Sequence, residues 1–395
     1  SLFGWLFPGT FQFLFQPHFE GIPSELSQAA FVSIFKVIAQ IGLIFLLFLI
    51  GLEFDLAHLR VKLGPAVAIC GVSLVVPFLL SFALAPFLHP LLEPHPEKGP
   101  VPMFGMTVFL ATALGITALP VLGRILMEMG IQRTRLATVI IAAAAIGDLV
   151  GWILLATVSS MVKAKFDLTQ SLELMGATAV YCAVMYVVVR PLAVRYFRAA
   201  LAKSNGQLTL NSFTILLVLL LASAIATNII GIFSIFGAFV LGMVLSTEDA
   251  LREAALAKLR DFVTAFFLPV FFTYTGLRTD LGTLSLATHG PVFAILFVAM
   301  IVGRFGGCAL AARLFGFNWR EAGIVGVTMN TLGLMGLIVI NIGYDLGVIP
   351  RSLFGLLVCM AVVTTAMAAP IIVRLRHGTE IEEPLKQSGF LDREF

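Results

Sequence analysis

The sequence predicts an all-α protein that crosses a membrane many times. Of its 395 residues, 59% are hydrophobic and only 12% are charged, with a mean hydropathy of +1.02, whereas soluble domains are about half apolar and a quarter charged. The apolar segments also have the length of membrane-spanning helices, not of the short alternating strands of a membrane barrel. The four cysteines lie in apolar segments without disulfide or zinc spacing, which indicates small buried side chains.

Eleven candidate spans follow one another along the chain. They lie near residues 30–52, 65–88, 101–127, 134–161, 171–197, 209–226, 229–247, 261–277, 287–313, 320–344 and 351–375. If residue 1 lies outside, 18 of the 25 lysines and arginines fall on inner loops and five on outer loops. The positive-inside rule therefore predicts an outside N-terminus and a cytoplasmic C-terminus.

The two ends of the chain lie outside these spans. Residues 1–29 are predicted to be an extracytoplasmic segment, and residues 377–395 a short polar cytoplasmic tail, too short for a regulatory domain. Because no preceding segment would carry the N-terminus outside, and because the numbering starts at Ser1 and not at Met, we expect that the chain lacks its beginning.

The stretch AAAAIGDLVGWILLA (142–156) places one acid, Asp148, near the middle of the fourth span. A central Asp costs about 2.5–3.5 kcal/mol on insertion scales, and ionisable residues at this depth are functional by default. The alternative is a salt bridge that only joins helices. Gly147 and Gly151 have the GxxxG spacing, for which close helix packing is the favoured interpretation.

Arg304, in IVGRFGGCALAARLF, lies at a similar depth in the ninth span. A guanidinium keeps its proton in proteins, so Arg304 can balance charge but cannot carry a proton. We predict that it compensates the charge of Asp148. A purely structural salt bridge is again the alternative, and it is favoured more for Arg304 than for Asp148.

Two spans carry helix-breaking residues at mid-depth. The third reads LATALGITALPVLGRIL and the tenth reads VTMNTLGLMGLIVINIG. Interrupted helices in corresponding positions of two halves indicate a transporter binding site, because unwound backbone frees carbonyls and helix ends. The alternative is that Gly and Pro are simply common in membrane helices. The residues that mark the breaks are Gly115, Thr117, Pro120, Asn330, Thr331 and Gly333.

Five stretches carry a resemblance to a known family. They are IGLIFLLFLIGLEFDLAHLR (41–60), ITALPVLGRIL (116–126), GDLVGWILLA (147–156), FFLPVFFTYTGLRTDL (266–281) and WREAGIVGVTMNTLGLMGLIVINIGYDLGVI (319–349). In their order and content the sequence resembles the monovalent cation:proton antiporter-2 family. That family carries the sodium/hydrogen exchanger domain and includes Kef-type potassium efflux systems and plant cation/proton exchangers.

The resemblance implies an inverted-repeat antiporter fold of thirteen helices, with two crossed discontinuous helices. An ion-carrying core of six helices would move against a scaffold that forms a homodimer. The opening SLFGWLFPG resembles the end of the family's second helix, so about 11 of 13 spans would be present, and the missing pair would belong to the scaffold. The implied parts are an exchanger domain (30–376) with core helices (about 65–161 and 287–375), scaffold helices (about 30–52 and 209–277) and a linker helix (171–197).

The resemblance also implies roles for single residues. By position, Asp148 matches the family's ion- and proton-binding aspartate, and Thr117 and Asn330 lie near the crossing as further ion-binding residues. Arg304 matches a basic residue that is Lys in electrogenic sodium exchangers. Three positions depart from the family pattern: Gly147 stands where Asp, Asn or Gln is usual, and Leu332 and Gly336 replace an Arg and a Glu.

The implied function is secondary exchange of Na⁺ or K⁺ for H⁺, with Asp148 binding one or the other. A single acid beside a non-titrating arginine predicts one-for-one, electroneutral exchange. Two alternatives stay open: a sodium-coupled organic-anion carrier of the same fold, and a transport-inactive truncated homologue. Neither an enzyme nor a cofactor is expected, and nucleic acid is not an expected partner. The expected setting is the lipid bilayer of a bacterial plasma membrane.

Overall fold

The computed structural model describes residues 24–53, 63–96, 98–164, 168–279 and 284–390. Within these ranges the secondary structure is helical, apart from one isolated bridge between His95 and Gly99. The helices are α1 (Ser24–Glu53), α2 (Leu63–Leu88), α3 (Met103–Gly115), α4 (Leu119–Glu128), α5 (Arg135–Lys163), α6 (Leu168–Val184), α7 (Arg190–Lys203), α8 (Leu210–Ile230), α9 (Ser234–Leu245), α10 (Asp249–Phe262), α11 (Leu268–Arg278), α12 (Leu286–Met300), α13 (Gly306–Leu314), α14 (Trp319–Met329), α15 (Gly333–Leu346), α16 (Arg351–Ala366), α17 (Ala368–Leu375) and α18 (Glu382–Gln387).

Among the described residues, nine helical segments are long and apolar enough to cross a membrane. The prediction of an all-α polytopic membrane protein is confirmed. Two further predicted spans do not meet this criterion. The span at 229–247 coincides with α9, which has only 12 residues. The span at 261–277 covers the end of α10, a helix rich in charged residues, and most of α11. The count of eleven and the direction of insertion stay predictions. The expected extracytoplasmic segment, the end of a truncated scaffold helix, covers residues 1–29. Residues 1–23 lie outside the described ranges, and residues 24–29 form the start of α1.

One compact unit contains α1 and α6 to α11. Inside it, α1 and α9 pack with their backbones in contact. A Cβ on Gly51 would lie 2.4 Å from the carbonyl oxygen of Phe239, and one on Gly242 would lie 2.3 Å from that of Phe48. Small residues at both positions therefore permit this close approach, as is usual between membrane helices.

The other compact unit contains α2 to α4, α5 as far as Val158, and α12 to α18. Its centre is the pair α14 and α15, where residues 322–343 are buried without exception. A helix that is apolar on all sides is expected in such an interior position. This unit, called the core unit below, holds every residue that the sequence predicted for the site. The ion-carrying role of these segments stays a prediction.

Candidate functional site

The first interrupted helix lies in the core unit, between α3 and α4. Helix α3 ends at Gly115, Ile116 is extended, and α4 begins at Leu119 with Pro120 as its second residue. Proline is tolerated there because the first N–H groups of a helix have no intrahelical acceptor. Residues 116–118 therefore form a short non-helical link within an otherwise continuous span.

The second interruption lies between α14 and α15. Asn330 ends α14, and α15 begins at Gly333, whose φ of +49° lies in the left-handed region. Glycine adopts this conformation without the steric cost that other residues have. A Cβ at this position would also lie 2.6 Å from the Cβ of Ala118 in the first break. Thr331 donates its hydroxyl proton to the carbonyl of Thr328 (2.7 Å).

The two breaks touch each other. The backbone N–H of Ala118 donates to the carbonyl of Thr331 (3.4 Å), and the hydroxyl of Thr117 donates to the carbonyl of Met329 (3.4 Å). Both links join the interrupted backbone of one helix to that of the other. Such backbone is tolerated at membrane depth where protein surrounds it.

Arg304 lies wholly buried in a π-helical turn between α12 and α13. Its guanidinium makes four hydrogen bonds. The Nε donates to the hydroxyl of Ser73 (3.2 Å) and Nη1 to the carbonyl of Leu114 (2.7 Å), while Nη2 donates to the carbonyl of Gly115 (2.9 Å) and the hydroxyl of Thr117 (2.5 Å).

The charge of Arg304 is balanced locally by the oxygen atoms that accept these hydrogen bonds. The carbonyls of Leu114 and Gly115 belong to the last turn of α3, where no intrahelical donor remains, and a positive charge at a helix C-terminus is favoured by the helix dipole. The predicted ion pair with Asp148 is not formed in this structure. Arg304 instead caps the end of the interrupted helix.

Asp148 lies in the middle of α5 with 1% of its surface exposed. Neither carboxylate oxygen has a hydrogen-bond partner among the described residues. The backbone N–H of Leu119 faces the carboxyl group without reaching hydrogen-bonding geometry. Asp148 therefore lies beside the positive start of α4, and Arg304 lies at the negative end of α3.

The neighbours of Asp148 on α5 explain the GxxxG spacing. A Cβ on Gly151 would lie 2.7 Å from Cγ1 of Ile116, which belongs to the first break. A Cβ on Gly147 would lie at an ordinary 3.7 Å from the sulfur of Cys70 on α2. Close packing is therefore required at Gly151 but not at Gly147.

Asn330 is the second unpartnered polar side chain of the site. It is wholly buried, and neither atom of its amide has a partner in the described part of the chain. Thr117, by contrast, is engaged by Arg304 and by the carbonyl of Met329. Leu332 and Gly336, which stand where the family pattern has charges, are buried among apolar residues of α14 and α15.

Sequence reasoning missed Ser73 and Cys70, which line the site from α2. Neither gave a signal, because single hydroxyls and thiols are common in membrane helices. No group of three His, Cys, Asp or Glu side chains suited to a metal ion occurs among the described residues.

A buried carboxylate beside two touching helix interruptions, within a polytopic helical protein, defines the class of secondary transporters. Comparison with known families leads to the same class. Residues 1–375 match the family described as sodium/hydrogen exchanger, transmembrane, and the chain belongs to that family. This is a family of transporters, not of enzymes.

Curated relatives extend this result. The chain is 35% identical over 344 residues to the Na⁺/H⁺ antiporter NhaS4 of Synechocystis, covering 86% of this chain and 81% of the relative. It is 33% identical over 360 residues to cation/H⁺ antiporter 15 of Arabidopsis thaliana, a match that covers 90% of this chain and 42% of the relative. It is 31% identical over 342 residues to K⁺/H⁺ antiporter 1 of Saccharomyces cerevisiae, which covers 85% of this chain and 39% of the relative. The match thus spans about two fifths of the plant and yeast proteins. The resemblance to cation:proton antiporters seen in the sequence is confirmed.

Proposed function

We propose that this protein exchanges a monovalent cation, Na⁺ or K⁺, for H⁺ across a membrane, with Asp148 as the shared binding site. One observation carries the proposal: the carboxylate of Asp148 is buried in the core unit and has no hydrogen-bond partner among the described residues. An unpaired buried carboxylate is costly, and either a proton or a cation removes that cost. The relatives, which include a Na⁺/H⁺ antiporter and a K⁺/H⁺ antiporter, support the same exchange.

The side-chain oxygens at the two helix breaks suit an alkali cation, which prefers oxygen as other hard cations do. The amide oxygen of Asn330 has no hydrogen-bond partner within the described ranges. The hydroxyl oxygen of Thr117 accepts one bond from Arg304, and a hydroxyl oxygen has a second lone pair. We therefore assign the cation to Asp148, Asn330 and Thr117, and the proton to Asp148 alone.

Arg304 holds a fixed positive charge through the cycle. Its four hydrogen bonds keep the end of α3 in place, and a guanidinium does not release its proton. A proton and a monovalent cation that compete for one carboxylate carry the same charge, so the exchange is one for one and electroneutral. Exchange rates in proteoliposomes should accordingly not change when a membrane potential is imposed with a gradient of a membrane-permeant anion, which leaves the Na⁺ and K⁺ concentrations unchanged.

The binding of an organic anion is less well supported. In that alternative Arg304 would bind a substrate carboxylate. The guanidinium is wholly buried and directs its donors at Ser73, at two backbone carbonyls and at Thr117. A carboxylate could bind only after these bonds were broken.

The cellular setting follows from the sequence and the family. The protein is an integral membrane protein. The charge bias of the loops supports an outside N-terminus and a cytoplasmic C-terminus, and we propose a bacterial plasma membrane as the setting. The family also suggests a homodimer formed through the scaffold helices. Reporter fusions after residues 205 and 390 would test the orientation, and cross-linking in native membranes would test the dimer.

The direct test is dissipation of a pH gradient in everted membrane vesicles. Na⁺, K⁺ and Li⁺ are added in turn to vesicles with the wild type, with D148N, or with E128Q as a matched loss of an exposed carboxylate. Dissipation by a cation in the wild type and E128Q, but not in D148N, supports the proposal and identifies the ion. No response from folded, inserted wild-type protein would favour a transport-inactive homologue or an organic-anion carrier.

A further inference from the structure

The C-terminal segment 377–390 folds against the core unit and does not extend away from it. The family match ends at residue 375, so the exchange mechanism assigns this segment no role. Ile381 and Leu385 are wholly buried, and Phe390 is 5% exposed. They belong to one apolar cluster with residues at the ends of α4, α5 and α14. We call residues 377–390 the clasp.

Hydrogen bonds tie the clasp to the start of two helices. The carboxylate of Glu380 accepts from the backbone N–H of Leu136, the second residue of α5. At α14, the side-chain amide of Asn318 donates to the carbonyl of Gly378 (3.3 Å), and Arg320 donates to the carbonyl of His377.

The clasp also touches the turn that follows α4. A Cβ on Gly130 would lie 2.6 Å from the Cβ of Ser388. Together these contacts place one segment at the ends of α4, α5 and α14. These are the helices that carry one half of the first break, Asp148, and one half of the second break.

The clasp holds its own conformation through Glu382. That carboxylate accepts from the backbone N–H of Gly378 (2.9 Å), lies 3.1 Å from Nδ1 of His377 and pairs with Lys386 (3.3 Å). The bonds from Gly378 first, and then those from His377 and Lys386, lower the pKa of Glu382 to about 2. Glu382 therefore remains ionised throughout the physiological pH range.

Asp148 depends on the placement of its helix more than Arg304 does. Arg304 is fixed by four hydrogen bonds of its own. The carboxylate of Asp148 has none to any residue that the structure describes, so its position follows from how α5 is docked. The first N–H groups of a helix need an external acceptor, and a carboxylate there is favoured by the helix dipole. Glu380 supplies that acceptor at the start of α5.

We infer that the clasp is a positioning element for cation binding, and that Glu380 acts by fixing the start of α5 and thereby the position of Asp148. The inference rests on the proposed function. It adds a requirement for a segment outside the family domain.

The test compares three variants in proteoliposomes, each normalised to folded protein by size-exclusion chromatography. E380A removes the acceptor, E380Q keeps an uncharged acceptor, and E383A removes a neighbouring carboxylate whose ion pair is with Lys386 of the same short helix. Loss of a helix-capping acceptor is expected to raise the KM for the transported cation about threefold in E380A. E380Q should give a smaller rise, and E383A none. A role in stability alone would lower the yield of folded protein without changing KM.

Hydrogen–deuterium exchange tests this inference independently of whether the protein transports a cation. Faster exchange in E380A at the first amides of α5, with α16 unchanged, supports the clasp even if the wild type transports no cation. Unchanged exchange at these amides overturns the inference, and so does an unchanged KM in E380A when the wild type transports. An equal rise of KM in E383A also overturns it. Failure of the wild type in the vesicle assay would count against the proposed function alone.

Discussion

Replacing Arg304 by methionine should destabilise this protein far more than replacing Asp148 by asparagine. R304M removes four hydrogen bonds and leaves the carbonyls of Leu114 and Gly115 buried without donors. Hydrogen bonds inside membrane proteins average about 0.6 kcal/mol, and an unsatisfied buried group costs about 1–3 kcal/mol. The two unsatisfied carbonyls alone therefore predict a loss of about 2–6 kcal/mol for R304M.

D148N provides the contrast within the same site. The carboxylate of Asp148 has no hydrogen bond to lose in the described part of the chain, and the change removes a charge that is costly at this depth. The expected change in stability is within about 1 kcal/mol, or a gain, as is typical where no specific interaction is broken. The two variants thus separate a residue that holds the fold from a residue that binds the ion.

The assay is thermal unfolding of the purified proteins in one detergent, at a fixed scan rate because unfolding of large proteins is often irreversible. R304M should unfold about 5–10 °C below the wild type, and D148N within a few degrees of it. Equal midpoints for R304M and the wild type would refute the capping role of Arg304. A drop in D148N as large as that in R304M would show that Asp148 is held by a bond, such as an ion pair with Arg304.

Three further predictions follow from single contacts. G151A should cost about 1–3 kcal/mol, because the new methyl group would overlap Ile116, whereas G147A should be tolerated; thermal midpoints compare the two. N330A should raise the KM for the cation with little loss of stability, since the Asn330 amide has no partner to lose among the residues described; cation titration of exchange, alongside thermal unfolding, measures both. Glu382, whose pKa is lowered to about 2 from 4.5, should stabilise the clasp fully above pH 4.5 and lose this effect as the pH falls toward 2. The ratio of pepsin cleavage of the clasp in the wild type to that in E382Q should rise as the pH falls from 4.5 toward 2.

Much of the site could be predicted because polar residues are rare in the apolar spans. Asp148 and Arg304 are conspicuous against apolar neighbours, and the interruptions of α3–α4 and α14–α15 lie where Gly115, Pro120, Asn330 and Gly333 break the helical pattern. In each case the residue type itself carries the physical cost that makes the position visible.

The partner of Arg304 could not be predicted in the same way. Charges in the sequence suggest a pairing between side chains, and Asp148 was the natural counter-charge. The acceptors that Arg304 uses include the backbone carbonyls of Leu114 and Gly115, which every residue has and no sequence pattern distinguishes. Their availability depends on where α3 ends in three dimensions.

The clasp was predicted only as a polar tail, although a signal was present. Ile381 and Leu385 are spaced four residues apart, as on one face of a helix, and both are buried. Two apolar residues in a short charged stretch were too few to outweigh its composition. The surface that they cover is formed by helices far away in the sequence, so the docking itself could not be inferred.

Competition between a proton and a cation at Asp148 is the central claim, and proton release on cation binding tests it most directly. The purified protein is placed in weakly buffered detergent solution, Na⁺ or K⁺ is added over a series of pH values, and released protons are measured with a pH indicator. We predict cation-dependent release that approaches one proton per chain at its maximum and is absent in D148N. Cation binding without proton release, or equal release in D148N, would contradict the account.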